Sequence, residues 1–292
     1  MTSTVHVLPS GASVYPFWVS VEGVIGAGKS ELLKILLPRL RERYGELFVV
    51  HVPENVEALQ ETGLFQKFNN DPKRHAYRVQ TMFFHTRTHE FLLKWEATIT
   101  QLSLLPIEHV DGRTVIILSE RSIVTDTIFM RVNTILGNAD ESELADYLNL
   151  NKMWRRVYPT TPRLFVYCKP AHDRSQSLAT CDTRIHERQR DSEANLVTKD
   201  YNGVVYDEHV KVFEVGQCSI DAGSDAQTLC VPVVTLLSDE NYRDDATVAL
   251  NKSTEVLGHI ESRCFNRVSD AIQLAHNNNN KEEQQRQRLQ GI

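Results

Sequence analysis

Phe17-Trp18-Val19-Ser20-Val21 leads through Glu22 into Gly23-Val24-Ile25-Gly26-Ala27-Gly28-Lys29-Ser30, and this stretch decides the fold. The apolar, β-rich opening reads as a buried strand. The eight residues from Gly23 to Ser30 match the phosphate-cradling pattern G-x-x-x-x-G-K-[ST]. After them Leu32, Leu33, Leu36 and Leu40 recur at helical spacing, and Gly45 supplies a stop. A strand before the loop and an amphipathic helix after it are the context such a loop needs. Its glycines let backbone N–H groups turn inward, and the helix adds the positive end of its dipole. Lys29 is placed to reach the β- and γ-phosphates of a bound nucleotide, and the Ser30 hydroxyl to ligate Mg²⁺. Pro38 falls inside the leucine pattern and predicts a kinked or shortened helix.

Outward from the loop, strand-like runs follow at Leu47 to Val52, Thr114 to Leu118, Leu164 to Tyr167 and Val231 to Leu237. Longer stretches of helical character, such as Tyr77 to Ile99, lie between them. That alternation predicts an α/β fold, a parallel five-stranded sheet with helices on both faces. No internal repeat is present. Residues 1–16 read as a flexible arm, 17–265 as one domain, and 266–292 as a polar, disordered tail that contains the tract starting at Asn277-Asn278-Asn279-Asn280.

Composition narrows the classes. At 41% hydrophobic and 24% charged residues, the chain is an ordinary globular protein rather than a disordered one. A net charge of −6 argues against a nucleic-acid partner, since such domains carry a basic excess. No apolar run reaches the roughly 20 residues of a membrane span. Five scattered cysteines without Cys-x-x-Cys spacing fit free thiols in a reducing compartment. The first 16 residues hold no Arg or Lys, so neither a secretory signal nor a transit peptide is evident and a cytoplasmic location is expected.

Two acids mark the acceptor side. Glu54 follows Val52-Pro53 at the end of the second strand, and Glu120 precedes Arg121-Ser122 at the end of the third. Doubly wound sheets bind ligands at these carboxyl ends. A carboxylate there can take the proton of an attacking hydroxyl or hold Mg²⁺. A GTPase would carry Asn-Lys-x-Asp, but Asn151-Lys152-Met153-Trp154 and Asn251-Lys252-Ser253-Thr254 both lack the aspartate. Further on, Arg184, Arg188 and Arg190 cluster within one helical stretch, and guanidiniums so close repel unless an anion sits between them.

With these motifs in place, residues 17–262 resemble the deoxynucleoside kinase family. The resemblance rests on Glu22-Gly23 to Ser30, Val52-Pro53-Glu54, Glu120-Arg121-Ser122 and the run Arg184 to Glu193. It implies a P-loop kinase fold with an arginine-rich lid, and ATP·Mg²⁺-dependent phosphorylation of a deoxynucleoside 5′-hydroxyl. It assigns Glu54 as general base, Glu120 to Mg²⁺, and Arg121 to phosphate and the 5′ oxygen. The lid arginines Arg184, Arg188 and Arg190 fall on the transferring phosphoryl group, and Glu193 closes over the sugar 3′-hydroxyl. Gln80 takes the place of the base-reading glutamine, with Arg87 two turns along the same face and Asp126 after Glu-Arg-Ser. In relatives that Arg–Asp pair accompanies deoxycytidine and purine deoxynucleosides rather than thymidine. A structural ion pair is the competing reading.

Three positions depart from the family pattern. Asn69 stands where relatives carry a sugar-contacting tyrosine, Leu59 where an aromatic lines the pocket, and bulky Phe83 where deoxycytidine kinases have a small residue. Val231 to Leu236 and Ser238 to Tyr242 resemble the last strand and the donor-base loop, with no side chain assigned. Family members are homodimers, which implies one here. A nucleoside monophosphate kinase and a non-catalytic binding subunit on the same fold are the alternatives. The first must bind an acceptor phosphate and has no use for a base at Glu54, and the second has no use for Lys29, Glu54 and Arg121 together. His85 and His89 have metal-binding spacing but no zinc-protease frame, and are read as structural or solvated.

Overall fold

The computed structural model describes residues 5–54, 56–187, 198–214, 217–221, 228–239, 242 and 244–264. Its centre is β2 (Ser13–Glu22), whose residues from Pro16 onward are almost all buried. The strand reads as a near-continuous apolar run because both faces are covered. On one side β2 pairs in parallel with β4 (Arg113–Glu120), and on the other with β5 (Pro162–Lys169). Strand β3 (Val49–Val52) adds beyond β4, and β7 (Thr228–Leu237) beyond β5, both in parallel. The order is β3-β4-β2-β5-β7, with β6 (Gln217–Asp221) antiparallel at the β7 edge. All five expected strands are therefore present in one parallel sheet. Leu47 and Phe48 form a 3₁₀ turn rather than the start of the second strand.

Period-two alternation divides the core. Phe17, Val19 and Val21 of β2 pack with Leu32, Leu33, Leu36 and Leu40 of helix α1 (Lys29–Tyr44). Trp18 points to the other face, among Phe84, Phe91, Trp95 and Tyr147. Pro38 does not shorten α1, which continues to Tyr44. Its ring lies on the exposed face, where water can serve the carbonyl that lost its donor.

The remaining described helices are α2 (Val56–Glu61), α3 (Leu64–Asn70), α4 (Pro72–Ser103), α5 (Ile107–Val110), α6 (Ile123–Ile135), α7 (Glu141–Arg155), α8 (Arg174–Glu187), α9 (Lys199–Phe213) and α10 (246–264). The long α4 begins where Asp71 accepts from the backbone N–H of Arg74, with Pro72 in the first turn, where a missing N–H costs nothing. Helix α6 starts at Ser122, whose hydroxyl caps the Val124 N–H.

The N-terminal expectation needs correcting. Strand β2 begins at Ser13 rather than Phe17, and His6–Val7 (β1) pairs antiparallel with it. Pro9-Ser10-Gly11 makes the turn, with Gly11 at φ 88° and its N–H donating to the Leu8 carbonyl. Leu8 and Ala12 are buried in the core layer that holds Trp18, which ties the segment down. The polar tail expected at 266–292 lies outside the described residues.

Candidate active site

Helix α1 starts from Gly28, which sits in the left-handed region at φ 86° and offers no side-chain cap. The first N–H groups of the helix are thus left for an anion. Gly26, at φ 84°, passes so near α8 that an added Cβ would stand 2.8 Å from the Cys181 carbonyl oxygen. The Lys29 ammonium donates to the Val24 carbonyl at 3.0 Å, which folds its stem across the loop. The loop's outer carbonyls are tied from behind. Ser238 donates to Ala27 O at 2.8 Å, and the Tyr242 hydroxyl donates to Gly28 O at 2.7 Å. Arg184 donates to the Ser238 carbonyl, while its other terminal nitrogen, Nη1, is buried without a hydrogen-bond partner among the described residues. Of the expected lid, Arg188, Arg190 and Glu193 lie outside the described residues.

The carboxyl ends of β3 and β4 bring the acceptor residues to this loop. Ser30 donates to Glu120 at 2.9 Å, so a hydroxyl and a carboxylate oxygen meet beside Lys29. Arg121 reaches Glu54 at 3.0 Å through Nε and the Gly23 carbonyl at 2.7 Å through Nη1. Arg87 forms a two-pronged pair with Asp126, at 2.9 and 3.1 Å, donates to Glu120 O at 2.7 Å, and approaches Glu54 at 3.4 Å. Glu54 therefore lies between two guanidiniums. Burial raises its pKa, but Arg121, Arg87 and Lys29 more than offset that and hold it at about 2. Burial pushes the Asp126 carboxyl up, and the bidentate Arg87 offsets part of that rise.

A cavity of about 680 Å³ opens between these groups and α4, within the range of small-molecule sites. It is lined by Ile25, Gly26, Lys29 and Ser30 at the donor end, and by Glu54, Glu120 and Arg121 in the middle. Asn69, Gln80, Arg87 and Asp126 line the far end, so the expected acceptor residues share one cavity. Gly23, Val24, Ala27 and Gly28 form the loop behind Lys29. The side chain of Leu59 is outside the described residues.

Phe83 lines the cavity as expected and meets Phe65 edge to face at 5.3 Å. Phe129, Leu136, Asn138 and Tyr201 also line the wall and were not singled out from sequence. Phe129 carries the Arg121 guanidinium at 5.0 Å from its ring. Only its place on α6 after Glu-Arg-Ser could have pointed to it. Ser238 and Tyr242 fall in the stretch read as the donor-base loop, but their hold on the phosphate loop carried no local signal. His85 and His89 are exposed, as a solvated reading expects. No described helix is long and apolar enough to cross a membrane.

A phosphate cradle facing an apolar cavity that holds a paired carboxylate is the layout of a phosphoryl-transfer enzyme. A family model for deoxynucleoside kinases matches residues 19–261. The chain is 26% identical to a probable deoxycytidine kinase of fowlpox virus over 243 residues, 83% of this chain and 86% of that protein. It is 27% identical over 176 residues to a deoxyguanosine kinase of Lactobacillus acidophilus, 59% of this chain and 63% of the other. Among solved structures, deoxyadenosine kinase of M. mycoides with bound dCTP shares the fold at TM-score 0.57 and 16% identity, over 84% of this chain and all of that one. The same enzyme with dCMP and dCDP gives TM-score 0.54 at 17% identity, over the same shares of the two chains. The chain belongs to the deoxynucleoside kinase family.

Proposed function

We propose that this kinase transfers the γ-phosphoryl group of ATP to the 5′-hydroxyl of a deoxynucleoside, with deoxycytidine or a purine deoxynucleoside preferred over thymidine. The observation that carries the reading is the position of Glu54. It sits between Arg121 and Arg87, where the phosphate cradle opens into the apolar cavity. A nucleoside lying along α4 would place its 5′-hydroxyl beside that carboxylate, with the phosphate loop opposite.

In this mechanism Glu54 orients the hydroxyl and takes its proton. A carboxylate held near 2 is a weak base, so the proton leaves late. That suits a loose transition state, in which the nucleophile is little committed before the donor bond breaks. Lys29, Arg121 and the lid arginines Arg184, Arg188 and Arg190 neutralise the equatorial oxygens. Arg184 Nη1, beside the loop and without a hydrogen-bond partner among the described residues, supports its part in that set. Ser30 and Glu120 offer the two hard oxygen ligands, 2.9 Å apart, that would hold Mg²⁺. When bound, the ion supplies Lewis-acid neutralisation of the β- and γ-phosphate oxygens. Asn69 and Glu193 are assigned to the sugar 3′-hydroxyl, and Gln80, Arg87 and Asp126 to the base edge. Phe83 narrows the space against that edge.

A monophosphate acceptor would need cations free to take its phosphate. Arg87 and Arg121 are already engaged by carboxylates, which favours a hydroxyl acceptor. The resemblance further implies a homodimer, and the buried thiols of Cys168 and Cys181 suit a reducing cytoplasm. To test base preference, the four deoxynucleosides are compared at equal subsaturating concentration with Mg·ATP, so that rates report kcat/KM. Deoxycytidine or a purine should lead. Phosphorylation of thymidine alone would sink the assignment of Arg87 and Asp126.

A further inference from the structure

Glu22, the last residue of β2, is a fully buried carboxyl group with no role in the transfer described above. Its carboxylate accepts from Ser20 at 2.7 Å and Ser122 at 2.6 Å through Oε1, and from Thr125 through Oε2. A polar chain runs into it from the core. Trp18 Nε1 donates to Ser119 at 2.8 Å, Ser119 donates to Ser20 at 3.3 Å, and Ser20 donates to Glu22. A buried carboxylate is costly unless its oxygens are met by donors or a cation: burial pushes the Glu22 carboxyl up, and the Ser122, Thr125 and Ser20 hydroxyls and the Arg121 charge offset part of that rise.

Arg121 itself needs holding. It is the one non-glycine described residue at positive φ, 66°, a strained conformation that persists only where its surroundings hold it. Its N–H donates to Val21 O at 2.9 Å, and its guanidinium to Gly23 O at 2.7 Å. Glu22 lies between those two carbonyls in the chain, and its side chain grips Ser122 and Thr125 on the other side of Arg121. A closed ring results, from β2 through the carboxylate to the start of α6, back along Arg121 to Gly23.

We propose that Glu22 is a positioning residue for phosphoryl transfer, holding Arg121 in register between the phosphate loop and Glu54 by anchoring the Ser122 and Thr125 hydroxyls. The inference rests on the role assigned to Arg121. Glutamine at position 22 keeps the volume and one acceptor but presents an amide donor where Thr125 now donates, so the anchor loosens without a cavity.

Steady-state kinetics of the full chain with Mg·ATP and its best deoxynucleoside provide the test. Glu22→Gln should lower kcat by about tenfold or more, with nucleoside KM changed by no more than about twofold, because the loss falls on the transition state. Thr125→Val should move kcat in the same direction, and Thr125→Ser should restore it. Trp18→Phe cuts the far end of the same polar chain, and should lower Tm while leaving kcat in place. A kcat loss in Glu22→Gln no greater than in Trp18→Phe at matched loss of Tm would overturn the proposal. So would equal activity of Thr125→Val and Thr125→Ser, which decides the matter alone if Glu22→Gln does not fold. Arg121→Met separates the two levels: if it leaves kcat unchanged, the reading of Arg121 has failed rather than that of Glu22.

Discussion

Glu54→Gln should lower kcat by about 10²–10⁴, the usual contribution of a positioned acid or base, while the protein stays folded. Glutamine is nearly isosteric and keeps an oxygen facing Arg121, which still donates to the Gly23 carbonyl. Arg87 keeps its two-pronged pair with Asp126, so neither guanidinium is stranded. The loss should fall on kcat rather than on nucleoside KM, since the interaction matters most as the proton leaves. Single-turnover kinetics with a thermal melt of each variant would check both halves. Unchanged turnover would remove Glu54 as the base. A lost melt would show that its charge serves the fold.

The second large effect concerns Arg87 and Asp126. Both are almost fully buried and each is the other's principal partner. Arg87→Met strands the Asp126 carboxylate, and breaking a buried pair in this way costs roughly 3–5 kcal/mol. Asp126→Ala strands Arg87 less completely, because Glu54 and the Glu120 carbonyl remain within reach. The double variant removes both charges and should be more stable than Arg87→Met alone. Urea melts of the four proteins would give the coupling free energy, expected well above the few tenths of a kcal/mol of independent sites. The double variant should also shift nucleoside preference toward thymidine. An unchanged ranking would leave the pair a purely structural ion pair.

Much of this was legible in the sequence, and the reasons are local. The phosphate loop and its flanking strand and helix are encoded within one short stretch, so their reading needed no tertiary information. Glu54, Glu120 and Arg121 were found because parallel strands deliver their carboxyl ends to a common edge. The N-terminal hairpin has little local signal, because its two-residue strand is stabilised by the burial of Leu8 and Ala12 among residues far away in the chain. The edge strand β6 is only five residues long and is defined by its pairing with β7. Phe129, Tyr201, Ser238 and Tyr242 reach the site from α6, α9 and the segment after β7, and no spacing pattern links them. Glu22 stands beside Gly23 in the sequence, but two of its three hydroxyl partners, Ser122 and Thr125, are about 100 residues away in the chain.

What separates a nucleoside kinase from a monophosphate kinase is whether the cavity behind Glu54 receives a hydroxyl or a phosphate. The decisive measurement is transfer from Mg·ATP to each deoxynucleoside and to each corresponding 5′-monophosphate, with the product position read by phosphorus NMR. Nucleosides should yield 5′-monophosphates, and the monophosphates themselves should be inert. Turnover of monophosphates with nucleosides left untouched would contradict a hydroxyl acceptor at Glu54.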